Sequence, residues 1–168
     1  MTVKHEAILI IETKLRRPIS KTQIIAWMAD EDIEVLGAVQ EIVSEKSTLA
    51  LVTPALEAGE IDGFMKVYIE RCLRENPQGE WGLSRYMAAY ELNGWFLELW
   101  DSRPKTDAML ASWKAWFARI YRGSNEEIKR AIVDGSLEHF FERPGVSKFF
   151  ADWKNDPELE VAFDEARA

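Results

Sequence analysis

Cysteine is nearly missing from this sequence: Cys72 stands alone among 168 residues. A single thiol excludes an internal disulfide and a cysteine-based zinc site, since both need partners. The pattern Val67, Tyr68, Cys72 places it as a core residue. Glycine is sparse and dispersed, nine in all, and no Walker loop, Gly-x-Gly-x-x-Gly turn or Gly-x-Ser-x-Gly elbow occurs. Long apolar runs are also lacking. The N-terminus offers only Ala7 to Ile11, flanked by Glu6 and Glu12, which is too short and too charged for a signal peptide or a membrane span. The expectation is a cytoplasmic protein with no membrane partner and no cofactor.

Positive charge is the other shortage. The formal net charge is −8, and it is unevenly spread. Residues 1–29 carry +3, whereas residues 30–62 hold nine acids against Lys46 alone. The tail, residues 152–168, carries −4. Binding to a phosphate backbone needs a basic surface, so direct nucleic-acid binding is disfavoured. A basic protein partner would instead be drawn to the 30–62 segment, and faster at low salt.

What the sequence has in quantity is apolar and aromatic residues. An apolar fraction of 47% beside 30% charged residues is that of a soluble globular chain, and the length suits one domain spanning 1–168. Five of the seven tryptophans fall between Trp81 and Tyr121. Pro104 divides that stretch into two helix-length halves, so it reads as a helical hairpin at the centre of the core.

Apolar spacing predicts helices almost throughout. The first runs over residues 3 to 15 through Val3, Ala7, Ile8, Ile11 and Leu15. Ser20 with Gln23 forms a capping box for a short helix carrying Ile24 and Trp27. Asp30 caps the next helix, whose stripe is Ile33, Leu36, Val39, Ile42 and Val43. That pair resembles a helix-turn-helix in outline, but Glu34, Glu41 and Glu45 on the second helix exclude reading DNA. Thr53-Pro54 opens a short helix ended by Gly59, and Ile61 to Asn76 forms another. Asn76-Pro77-Gln78-Gly79 is the strongest breaker, an internal joint near 76–81.

In the hairpin, Leu83, Tyr86, Met87, Tyr90, Gly94 and Leu97 share one arc, with Leu92, Trp95 and Leu99 on the other side. A helix apolar on both faces is either sandwiched in a core or offers one strip to a partner. The second hairpin helix, Lys105 to Arg122, has a clean stripe from Met109 to Tyr121 and an alanine stripe opposite. Ser124 with Glu127 caps a helix over Asn125 to Arg143, where Gly135 bends the chain or admits a close neighbour. A short aromatic helix follows Pro144-Gly145, and Asp156-Pro157 opens the last. No second convincing strand accompanies the helices. The fold expected is all-α: a single-domain irregular helical bundle, or stacked helical hairpins, of about seven to nine helices.

The one grouping with metal-ligand spacing is Glu138, His139 and Glu142, where histidine and glutamate stand at i, i+3. Di-metal bundles need a second such motif and further inward carboxylates, and His5, the only other histidine, has no matching glutamate. This trio is a weak metal candidate; a half-buried His139 paired with a carboxylate is the plainer reading. No catalytic residue stands out. The profile resembles in type that of small acidic all-helical bacterial proteins that bind another protein, such as immunity proteins against toxins. The resemblance implies a non-enzymatic binding module that neutralises a basic partner. Asp30, Glu31, Asp32, Glu34 and Glu41 would steer, and Trp95, with Leu92 and Leu99, or Trp27 would anchor. One variant is an acidic mimic of nucleic acid. The alternatives are a ligand binder or enzyme with a pocket near the 81–121 hairpin and Glu138–Glu142, and a structural homodimer or larger homo-oligomer.

Overall fold

A computed structural model describes residues 4–79 and 82–168, and 73% of the chain is helical. The all-α expectation therefore holds. Val3 and Trp81, which began the first helix and the hairpin in the sequence reading, lie outside the described residues. The chain falls into two compact units: Met1–Cys72 with Gly79–Leu83, and Leu73–Gln78 with Ser84–Ala168.

The first unit is built on α3 (Ile33–Ser44), which buries Val35 through Gln40 together with Ile42 and Val43. Against it pack α1 (Glu6–Thr13) and α2 (Lys21–Met28), and α4 (Lys46–Leu49) follows directly. Helix α1 is shorter than its apolar spacing predicted. Lys14 takes up a left-handed conformation at φ 52°, which ends the helix and leaves Leu15 exposed. The Ser20 hydroxyl accepts the Gln23 N–H at 3.1 Å, but the Gln23 amide reaches Glu6 instead of closing the box. Asp32, not Asp30, caps α3 by accepting the Glu34 N–H at 2.9 Å, while Asp30 accepts from Asp32. A dense run of acids offers several competing caps, and the one nearest the apolar stripe prevails.

Two short strands, β1 (Ile19–Ser20) and β2 (Val52–Thr53), pair in parallel, Ile19 opposite Val52. Two residues each are too few for an alternating pattern to register in the sequence. Because Thr53 is taken up in β2, Pro54 opens no helix. Helix α5 (Ala58–Glu75) starts beyond it and runs through Gly59, the predicted terminator.

The second unit holds the aromatic core. Helices α6 (Arg85–Asp101) and α7 (Asp107–Arg122) form the hairpin predicted around Pro104. Trp113, Trp116, Phe117 and Tyr121 of α7 are all buried, while Ala108, Ala111 and Ala115 are exposed helix formers. Phe96 of α6 stacks on Phe140 with centroids 4.0 Å apart, and Phe117 meets Phe140 edge-on at 5.5 Å. Such contacts add about 0.5–1.5 kcal/mol per pair beyond the area they bury.

The predicted helix over 125–143 is broken in three: α8 (Glu126–Ile132), a π-helical turn (Val133–Leu137) and α9 (Glu138–Phe141). Its cap is Asn125, accepting from Ile128, while Ser124 Oγ donates back to Ile120 O. The π turn re-phases the helix, so the two apolar stripes seen in the sequence can both be buried. Gly135 sits in that turn directly against α6. A methyl group added there would lie 2.8 Å from Ala89 Cβ and 3.2 Å from Tyr86 O. The close approach is held by Ser136 Oγ donating to Ala89 O at 2.6 Å and Asn93 Nδ2 donating to Gly135 O at 3.0 Å. Then come α10 (Val146–Phe149), a 3-10 turn (Ala151–Asn155) and α11 (Pro157–Arg167), capped by Asp156 as expected.

Candidate functional site

The sequence singled out the acids of residues 30–62 as one group, but folding treats them very differently. Asp32 is consumed as the α3 cap, and Asp30 holds Asp32 N and stands 3.9 Å from His5 Nε2. Glu45 lies 3.7 Å from Arg16, Glu60 3.1 Å from Lys21, and Asp62 3.0 Å from Lys66. Three acids of the segment are thus answered by lysines or arginines of the same unit, two of them from the N-terminal run that carried +3. Among the described residues, Glu31, Asp32, Glu34, Glu41 and Glu57 have no cation within ion-pair distance, and of these Glu34 and Glu41 line a pocket.

Glu34, Gly37, Ala38 and Glu41 fall at i, i+3, i+4 and i+7, one face of α3. That face forms a wall of a pocket of about 300 Å³. Ile8, Ile11 and Glu12 of α1 line it from a second side, and Tyr68, Gly82 and Leu83 from a third. The Tyr68 ring is fully buried and stacks on Phe64 at 5.9 Å. Its hydroxyl accepts the Leu83 N–H at 3.3 Å, which ties Leu83 to α5. Gly82 is required at this point: its φ is +151°, and a Cβ would stand 2.6 Å from the Tyr68 oxygen.

Electrostatically the pocket is negative, and its charged wall, Glu12, Glu34 and Glu41, is composed of acceptors. Burial is the main cause that pushes the Tyr68 phenol far above its ordinary value, so it stays neutral and adds no charge. Burial, then the neighbouring Glu45, raises the Glu41 carboxyl above its usual range. Both effects penalise the charged form of Glu41, and a bound cation would reverse the penalty. The Lys4 ammonium lies 2.6 Å from Glu12 Oε2 and is itself held above its ordinary pKa, chiefly by that hydrogen bond and to a smaller degree by Glu34. The Gln40 amide also lines the pocket and is 4% exposed. Its nitrogen donates to Ser44 Oγ at 2.8 Å, and its oxygen meets no donor among the described residues.

The remaining sequence candidates are scattered. Leu92 and Leu99 are buried, 1% and 4% exposed, so they belong to the core and offer no strip to a partner. Trp95 between them is half-buried, and Trp27, the other proposed anchor, is buried with its ring against His5 at 5.5 Å. The exposed face of α6 is the opposite arc, where Tyr86, Met87 and Tyr90 are 47%, 42% and 45% open. His139 Nδ1 lies 3.8 Å from Glu142 Oε1, and its ring meets Tyr90 edge-on at 5.3 Å. Among the described residues no three of histidine, cysteine, aspartate and glutamate are grouped closely enough to hold a metal ion. Also among them, no helix is long and apolar enough to cross a membrane.

Glu12, Gln40, Tyr68 and Leu83 were not singled out in the sequence as site residues. They reach the pocket from four separated segments, and no local spacing connects them. Only the Glu34–Glu41 spacing carried a signal. Comparison with protein-family models, with curated proteins and with solved structures finds no match.

Proposed function

We propose that the chain is a non-enzymatic protein-binding module whose acidic face, formed by α1 and α3, captures a basic partner in the manner of a stoichiometric inhibitor. The observation that carries this reading is the pair Glu34 and Glu41. Among the described residues they have no cation at ion-pair distance, and, unlike Glu31, Asp32 and Glu57, which also have none, they line an apolar-walled pocket. Exposed carboxylates of this kind raise the encounter rate with a basic surface and lose that effect as salt rises. An enzymatic reading has less support, because among the described residues no serine, cysteine or histidine lines the pocket beside its carboxylates and no metal-ligand set is grouped there. The test is capture from source lysate at low salt, with elution at high salt, beside a column of a charge-matched unrelated protein. A basic protein released by salt from the first column alone is the expected result; nothing enriched over the control contradicts the reading.

A second reading has one observation in its favour. Tyr86, Met87 and Tyr90 form an exposed apolar face on α6, of the kind that a homo-oligomer buries. A concentration-dependent dimer lost in Tyr90→Glu, with the monomer still helical, would support it.

A further inference from the structure

We infer that the pocket between α1 and α3 receives one cationic side chain, a lysine or an arginine, from the protein partner. This rests on the binding-module reading and names the contact within it.

The volume admits the guest. About 300 Å³ lies at the lower end of ligand pockets, which run to about 1,000 Å³, and is enough for one long side chain. The walls decide its shape. Ile8, Ile11, Ala38 and Leu83 are apolar and suit an alkyl stem, as long cationic side chains require. The polar atoms decide its chemistry. Glu12, Glu34 and Glu41 offer only acceptors when ionised, and the Gln40 oxygen, on a side chain that is 4% exposed, meets no donor among the described residues. Lysine carries three donors and arginine five, with no acceptor on either, which is the complement of that wall. An anion, or a guest rich in acceptors, would leave the Gln40 oxygen unmet and face three carboxylates. Lys4 already supplies such a group in cis, bonded to Glu12 at one edge of the pocket.

The test is a titration of the full chain at low salt, followed by NMR. The probes are a blocked Gly-Gly-Arg-Gly-Gly peptide, its lysine and citrulline counterparts, and spermidine. The arginine or lysine peptide is expected to give saturable shifts at the amides of residues 34–41, and the citrulline peptide none. Glu34→Gln with Glu41→Gln should weaken binding about tenfold, the loss for a charge-assisted hydrogen bond. Asp30→Asn with Glu31→Gln, outside the pocket, should change it by less than about twofold if only screened long-range charge is removed. Lys4→Ala should strengthen it by freeing Glu12. No saturable shift, or equal binding of the citrulline peptide, overturns the inference. So does an equal loss in both double variants, which would indicate diffuse attraction while leaving the partner reading intact. Spermidine binding tighter than either peptide would replace the protein side chain with a free amine. The partner reading fails separately, when lysate capture yields no basic protein.

Discussion

Replacing Gly135 with alanine should destabilise the protein, although alanine is the better helix former. The added methyl would stand 2.8 Å from Ala89 Cβ, 3.2 Å from Tyr86 O and 3.4 Å from Tyr90 N. Two of these are backbone atoms and the third is a β-carbon, so no rotamer change can relieve the contact. Relief requires separating the π turn from α6. Overpacking of this kind costs about 1–3 kcal/mol. The separation would also stretch the bonds from Ser136 to Ala89 and from Asn93 to Gly135, each of which contributes about 0.5–1.5 kcal/mol. Against this, alanine gains about 1 kcal/mol of helix propensity. The net expectation is a loss of about 2 kcal/mol from these opposing terms. Gly94→Ala is the matched control. Gly94 lies within α6, is exposed, and a Cβ there would meet nothing within 4 Å, so only the propensity gain of about 1 kcal/mol remains. Urea unfolding followed by circular dichroism and tryptophan fluorescence reads both variants. A Gly135→Ala protein as stable as the parent, or a Gly94→Ala protein less stable than it, would refute the packing argument.

Three further outcomes follow from the same geometry. Tyr68→Phe removes the hydroxyl that accepts the Leu83 N–H and should cost about 1 kcal/mol, whereas Gly82→Ala, which drives a Cβ onto that oxygen, should cost more. The double variant should be more stable than the sum of the two losses predicts, because Tyr68→Phe removes the atom that the Cβ meets; strict additivity in denaturation would deny the contact. Asp156 is held below the usual aspartate range, first by the Arg122 hydrogen bond and then by the Leu159 N–H. Its folded value is depressed, so its contribution is complete above the unfolded aspartate pKa and disappears as pH falls through the lowered one. The melting-temperature gap between the parent and Asp156→Ala should therefore be full at pH 7 and close under acid; a gap independent of pH would show that the carboxylate charge is not involved. For Glu41 the sign reverses. Its folded pKa is raised, so its charge opposes folding above the unfolded glutamate pKa, and Glu41→Gln should be at least as stable as the parent at pH 7, with the difference vanishing as pH falls. A clear loss of stability at pH 7 would contradict the account of an unanswered carboxylate.

Periodicity made the helices legible, and it did so best where apolar stripes were long. The α7 stripe and the Asp156-Pro157 start of α11 stand where spacing and capping chemistry placed them. Capping in crowded stretches was harder to read, because Asp30 and Asp32, or Ser124 and Asn125, satisfy the same preference and the choice depends on where the helix docks. The π turn at 133–137 was visible only as two conflicting stripes around Gly135, a local irregularity that sequence spacing expresses without explaining. Trp81–Tyr121 was read as the centre of the whole core, yet α3, with aliphatic residues, organises a unit of its own. The α6 faces were left open in the sequence between a sandwiched helix and one that offers a strip. Leu92 and Leu99 are buried and Tyr86, Met87 and Tyr90 exposed, a choice that depends on which neighbours the hairpin meets. Of the candidate site, only the acidic character of residues 30–62 and the common face of Glu34 and Glu41 could be read beforehand. Which acids would be answered by Arg16, Lys21 and Lys66 is decided by tertiary pairing across tens of residues, and no local pattern records it.

The account rests most heavily on Glu34 and Glu41 being the carboxylates kept for a partner. The direct measurement is paired affinity capture from source lysate at low salt, with the parent protein on one column and Glu34→Gln/Glu41→Gln on the other. The account predicts a basic protein on the first column, released by salt, and absent or strongly depleted on the second. Equal recovery from both columns would contradict it and move the binding surface away from α3.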